Sequence, residues 1–203
     1  GQGEFRYSPP SGFLALCSAN LPDLAIDPNA DETPEDYFNT VLDTGTGSAK
    51  SVTGVGFKPD WVWRKARSNA QNHTLYDAVR GATKILQSNT SAAEDTNANS
   101  LTSFDSDGFS LGTAYPNDNN YTYASWCWLA GNGTSSNTDG SVTTTTSVNA
   151  KAGFSILTYT EPTGSSSYGH GLDERPELII IKRRNGAEGW ITWHEQFAPP
   201  TNK

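Results

Sequence analysis

The sequence of 203 residues has no methionine, two cysteines and three histidines, and only 18% of it is charged. Cys17 and Cys127 are too few for a disulfide-dense scaffold; an even count allows one bridge, but nothing marks them as partners, and both read as buried thiols. No histidine lies at metal-ligand spacing from either cysteine, which excludes a Cys/His zinc motif. No run approaches 18 consecutive apolar residues, so no membrane-spanning helix is expected. No stretch holds the 3.6-residue period of a long amphipathic helix, which argues against helix bundles. The formal charge of −8 repels phosphate backbones and anionic lipid, so neither nucleic acid nor membrane insertion is expected. The cationic cluster Lys182-Arg183-Arg184 closes an apolar run and reads as the solvated end of a strand.

What the chain does have is 19 glycines, 11 prolines and runs of Asn, Ser and Thr, a composition suited to short strands joined by many turns. Segments 60–66, 108–112, 121–130, 153–160, 176–184 and 189–195 are aromatic or β-branched and bounded by Gly, Pro, Asn or Asp, so each is expected to be a strand. Their spacing predicts an all-β protein, an antiparallel β-sandwich with two sheets over one core.

The sequence also repeats itself. The stretch beginning at Phe38 aligns with that beginning at Phe154, matching Gly56 to Gly171, Pro59 to Pro176 and Lys65 to Lys182. In that register the segment from Trp190 falls on the segment from His73, so the second copy holds only the opening of the unit. The expected organisation is an extended arm over 1–30, packed onto the next domain through Phe13, Leu14 and Leu16, then a first repeat over 31–131. A connector over 132–152 and the start of a second, incomplete repeat over 153–203 follow. The remainder of the second unit is expected either in a continuation of a longer chain or from a neighbouring chain. The Thr-rich part of the connector is expected as an exposed edge strand protected by its polarity.

Chemistry finds little purchase in this sequence. His73, His170 and His194 sit in no Ser or Cys elbow, and no pair of carboxylates alternates on a strand as glycoside hydrolysis requires. No enzyme activity is expected. Asp105 and Asp107 in FDSDGFSLG resemble a fragment of a calcium loop, without its downstream bidentate Glu; a tight turn needs the same residues and is the preferred reading. Asn117, Asp118, Asn119 and Asn120 likewise read as a turn first and a ligand loop second. Trp61 and Trp63 share one strand face and are replaced by Leu178 and Ile180 in the second copy, so they read as core. Arg64, opposite Ile181, then marks the other face as partly exposed or as an interface. The alternative use of aromatics is a platform for sugar rings, drawing on Trp126, Trp128 and Tyr121 with Asn117 and Asn119.

GFKPDWVWRKARS, LYDAVRGATKILQSN, SFDSDGFSLG and YTYASWCWLAG together resemble the repeated β domain of structural proteins of tailed bacteriophages of marine and freshwater bacteria. The opening GQGEFRYSPPSGFLALCSANLP resembles the exit of a SPRY-type domain. The resemblance implies a concanavalin-like or jelly-roll-like sandwich in an extracellular virion component, a tail fibre or related appendage. It implies homo-oligomers, trimers above all, contacts with other virion proteins, and attachment to host surface polysaccharide without a cofactor. A purely architectural head-decoration or connector role, and a glycan depolymerase, are its rivals.

Overall fold

Turn-forming residues interrupt the chain every few positions, and short strands run between them, as extended segments rich in β-branched and aromatic side chains should. The computed structural model describes residues 33–197; the expected arm with Phe13, Leu14, Leu16 and Cys17, and its SPRY-like exit, lie outside the described residues. The first repeat contains β1 (Phe38–Thr44), β2 (Lys50–Thr53), β3 (Trp61–Ala66), β4 (Thr74–Asp77), β5 (Lys84–Ile85), β6 (Asp95–Thr96), β7 (Leu101–Asp105), β8 (Gly108–Leu111) and β9 (Thr122–Trp128). β10 (Ser135–Asn137) and β11 (Thr144–Asn149) follow, then β12 (Phe154–Thr158), β13 (Leu178–Ile181) and β14 (Ile191–His194). Helix among the described residues is confined to two 3-10 turns, Pro34–Asp36 and Glu195–Phe197.

The strands form antiparallel sheets in the orders β1-β9-β3-β4, β2-β8-β7, β10-β11-β12, β13-β14 and β5-β6. The first two supply the core: Val41, Val62, Tyr76 and Cys127 from one, Val52, Leu101, Phe109 and Leu111 from the other, with Val55, Phe57 and Ile85 closing it. Each such side chain contributes about 1.5–3 kcal/mol on burial. The fold is therefore all-β and sandwich-like, as composition and turn spacing predicted.

The internal repeat is built into the backbone. β3 pairs with β4 in the register Trp61↔Asp77 to Arg64↔Thr74, and β13 with β14 in the register Leu178↔His194 to Ile181↔Ile191. Every pair matches at one offset of 117 residues. Ala78 N–H donates to Asp60 O at 2.8 Å, and Glu195 N–H to Glu177 O at 2.9 Å. Asn39 Nδ2 donates to Val55 O at 3.0 Å, and Ser155 Oγ to His170 O at 2.6 Å. His170 is thus a turn-anchoring position, occupied by Val55 in the first copy.

Two expectations are corrected. The Thr-rich segment is not an exposed edge: β11 is the middle strand of its sheet, and Thr144, Thr146 and Ser147 are buried. Their hydroxyls stay satisfied, Thr144 Oγ1 donating to Gly169 O at 2.9 Å and Ser147 Oγ accepting from Gly131 N–H at 3.0 Å. Polarity alone does not place a strand at an edge when local acceptors can absorb its hydroxyls. The second correction concerns β3, whose two faces are the reverse of those expected.

Candidate functional site

Side chains alternate along β3, so Val62, Arg64 and Ala66 share one face and Trp61 and Trp63 the other. The face that enters the core carries Arg64, the largest fully buried side chain among the described residues. All three nitrogens of its guanidinium donate hydrogen bonds. Nη1 and Nη2 donate to Asp43 Oδ1 and Oδ2 at 2.5 and 3.0 Å, Nη1 also to Ser125 Oγ at 2.8 Å, and Nε to Pro116 O at 2.9 Å. The Tyr123 ring lies 4.1 Å beneath its central carbon. Lys50 Nζ adds a second cation 3.0 Å from Asp43 Oδ2. Burial pushes the Asp43 carboxyl upward, but the Arg64 hydrogen bonds and charge, with Lys50 behind them, hold it below its ordinary value.

With Arg64 inside, the tryptophans lie outside. Phe38, Trp128 and Trp61 stand abreast across β1, β9 and β3, and Thr40, Trp126 and Trp63 form the next row. The first row is in contact with other rings: Trp128 lies 4.6 Å from Trp61, 4.8 Å from Phe38 and 6.2 Å from Phe154, whose ring also stacks on Trp61 at 5.7 Å, while Phe38 itself stays exposed. Phe154 opens β12, so this row joins the two repeats. Trp128, half-buried like Trp126, makes its ring contacts there. Among the described residues the second row carries no ring from β12. Trp63 and Trp126 meet edge to face at 6.3 Å, both half-buried. Trp63 Nε1 donates to His73 Nδ1 at 2.8 Å. That acceptor role requires a neutral imidazole, and partial burial together with the charge of Lys65 depresses the His73 pKa.

Beside His73 a shallow depression, widely open to solvent, is lined by Ala70, Gln71, Asn72, Gln87 and Tyr115. His73 N–H donates to Asn89 Oδ1 at 3.0 Å, and Asn89 Nδ2 to Asn72 Oδ1 at 2.9 Å, so the depression and the tryptophan patch are mechanically joined. Tyr115 donates its hydroxyl to Asn72 O; burial, with Asp118 nearby, pushes the phenol up to about 12. Exposed aromatic faces beside fixed carboxamides can stack on a sugar ring and hydrogen-bond its hydroxyls.

The other expected contacts fall elsewhere. Asn117 is buried, not a surface ligand: its Nδ2 donates to Ser48 O and Gly112 O, both at 2.7 Å, and its Oδ1 accepts from Thr46 N–H at 3.0 Å. It ties the β1–β2 loop to the β8–β9 loop. Asn119 is exposed and Tyr121 half-buried, at the start of β9. At about 3.3 Å per residue they lie roughly 16 Å along the strand from Trp126, at the end of the sandwich and not in the patch.

Asp105 and Asp107 bind different partners. Asp105 accepts from Ser103 Oγ at 2.7 Å and Ser110 Oγ at 2.6 Å. Asp107 accepts from the backbone N–H groups of Gly56 at 2.7 Å and Gly54 at 3.0 Å, which lower its pKa. Gly108 closes the turn at φ 145, where a Cβ would lie 2.0 Å from Val52 O. Turn chemistry thus accounts for all three residues. Among the described residues no three His, Cys, Asp or Glu side chains are grouped to hold a metal ion.

The Arg64–Asp43 pair and the Trp63–His73 depression were missed at the level of sequence. A signal for the first exists: the second copy carries Tyr159 and Ile181 at the two positions, so both partners are replaced together. The depression is announced only by the polar runs SNAQNHT and LQSNTS.

A family model described as "Domain of unknown function (DUF7483)" matches residues 33–203, and the chain belongs to that family. No curated protein and no solved structure matches it.

Proposed function

We propose that this chain is a non-catalytic module of a tailed-phage virion, part of a tail fibre or related appendage, and that it attaches to polysaccharide on the host surface. The observation that carries the reading is the second tryptophan row, Trp63 and Trp126, beside the carboxamide-lined depression of Gln71, Asn72 and Gln87. Large aromatic rings left half-exposed on a sheet cost solubility and are retained where they contact something. The phage assignment rests on the resemblance of the four sequence motifs. Assembly as a homotrimer would place three such patches on one appendage, and effective concentration would convert individually weak sugar contacts into firm attachment.

The test is titration of the purified protein with host envelope polysaccharide, followed by tryptophan fluorescence and calorimetry. Saturable binding that falls about tenfold or more in Trp126→Ala supports the reading, since loss of a stacking aromatic costs 1.4 kcal/mol or more. No binding by the unmodified protein sinks it, and a shortened polysaccharide replaces it with a depolymerase. A second reading is architectural, and Phe154 favours it: the neighbouring row of the same aromatic face already packs against a ring of the second repeat. Gold-labelled antibody on intact particles separates the two, with label on appendages for attachment and on heads for decoration.

A further inference from the structure

Gln87 and Tyr115 also belong to a second, more enclosed pocket of about 300 Å³, so this pocket and the depression beside His73 are neighbours. Such a volume lies at the lower end for small-molecule sites and suits one ring rather than a large cofactor. Ile85, Ala92, Ala93 and the Tyr115 ring supply apolar wall, and Gln87, Asp95 and Asn97 bring the polar groups. Ile85 and Asp95 stand opposite each other in the β5–β6 register, which sets an apolar and a charged side chain side by side. The Tyr115 hydroxyl is committed to Asn72 O, so its ring is fixed as wall.

Each of the three polar side chains has one atom tied down locally and one left over. Gln87 Oε1 accepts from Asn72 Nδ2 at 3.1 Å, Asp95 Oδ1 from Thr96 N–H at 2.7 Å and Asn97 Oδ1 from Asn99 N–H at 2.9 Å. Gln87 Nε2, Asp95 Oδ2 and Asn97 Nδ2 have no partner among the described residues. Two oriented amide donors and one carboxylate acceptor therefore remain. A sugar hydroxyl both donates and accepts, so one hydroxyl bridges a carboxylate and an amide, and a neighbouring hydroxyl takes the second amide. No Lys or Arg lines the pocket, so a sugar carboxylate or sulfate would meet Asp95 without a counter-charge.

The second repeat braces the rim. Trp190 Nε1 donates to Gln87 O at 3.0 Å and to Thr90 O at 3.2 Å, and Lys182 Nζ to Ser91 O at 3.3 Å. Glu94 N–H donates to Arg184 O at 2.8 Å, and Arg184 Nε and Nη2 donate to the Glu94 carboxylate at 2.8 and 2.9 Å. A rim fixed before its ligand arrives loses less entropy on binding. We infer that this pocket is a subsite for one neutral pyranose ring, which, on the reading proposed above, is a residue of the attached polysaccharide. A ligand of about a dozen heavy atoms binds at about millimolar strength at ordinary ligand efficiency.

The probes are the methyl glycosides of glucose, galactose, mannose and N-acetylglucosamine, with methyl glucuronide as the anionic control. Each is titrated into the whole chain while the side-chain amide resonances of Gln87 and Asn97 are followed by NMR. Saturable shifts with at least one neutral glycoside, and none with the glucuronide, support the inference. Asn97→Asp keeps the acceptor for Asn99 N–H and removes the spare donor, and Asp95→Ala removes the exposed acceptor; each should weaken binding about tenfold or more with the fold intact. No saturable shift with any neutral glycoside, equal shifts with the glucuronide, or unchanged affinity in both variants would each overturn it. Host polysaccharide separates the two readings. Binding that needs Trp126 but neither Asp95 nor Asn97 overturns the subsite and leaves attachment standing, whereas glycosides in the pocket without any polysaccharide binding support the subsite and sink attachment.

Discussion

Replacing Arg64 by methionine removes the cation from the middle of the sandwich and leaves the Asp43 carboxylate in place. Breaking one side of a buried pair costs about 3–5 kcal/mol, because the remaining charge keeps its desolvation penalty. Here the lower end applies: Lys50 remains 3.0 Å from Asp43 Oδ2 and is itself partly exposed. A loss of about 3 kcal/mol corresponds to a melting temperature lower by roughly 6–12 °C for a chain of this size. The pH dependence distinguishes this cause from simple loss of packing. In the parent protein the Asp43 carboxyl is held low. Its stabilising contribution is complete above the unfolded carboxylate pKa near ~3.9 and is lost as pH falls through the lower folded value. Without Arg64, burial dominates and raises that pKa, so protonation relieves the penalty and the gap between variant and parent narrows as pH falls from about 7 to about 5. Asp43→Asn with Arg64→Met should recover part of the loss, as the Tyr159 and Ile181 of the second copy show that these two positions change together. Urea melts at both pH values measure all three proteins. A loss under about 1 kcal/mol, or one that does not change with pH, would refute the electrostatic account.

Cys127 is buried and its thiol is pushed up to about 12 by desolvation, so iodoacetamide near pH 8 should modify it only at the rate of unfolding, measured by mass spectrometry with denaturant as the positive control. His73 has a depressed pKa while accepting from Trp63; its contribution is complete above the ordinary histidine value near ~6.5 and is lost as pH falls through the lower folded value. Protonation of His73 should change the emission of Trp63, which donates to it, and Trp63→Phe should remove that change. Glu94 accepts from Arg80 at 3.1 Å and from Arg184, and these cations outweigh its burial to lower its pKa. Glu94→Gln should cost no more than about 1 kcal/mol in the docking of residues 182–190, because Arg184 is exposed, read as faster proteolysis of that segment with the first sandwich intact.

Much of the architecture is legible without coordinates, because turns and strands are specified locally. Gly108, the Asp–Gly turn before it and the bounded aromatic runs place β3, β8, β9, β12, β13 and β14 to within a few residues. The repeat is equally plain in the linear text, and its offset reappears as the register of two hairpins. The inward face of β3 is not legible. One face of WVWRKA carries Trp61 and Trp63 and the other Val62, Arg64 and Ala66, so period-two alternation alone points to the tryptophan face as core, the reverse of what is found. The choice falls to Arg64, whose guanidinium makes four hydrogen bonds to Asp43, Ser125 and Pro116 on the inner side, from strands and loops up to 61 residues away in sequence. The same non-local pairing buries Asn117 beneath loops it could not announce and seats the Thr-rich β11 in the middle of a sheet. The sequence by itself determined where strands and turns form, because those preferences act between neighbours along the chain. Tertiary structure decided which faces meet and which polar groups are satisfied inside, because those depend on partners that only the folded chain brings together.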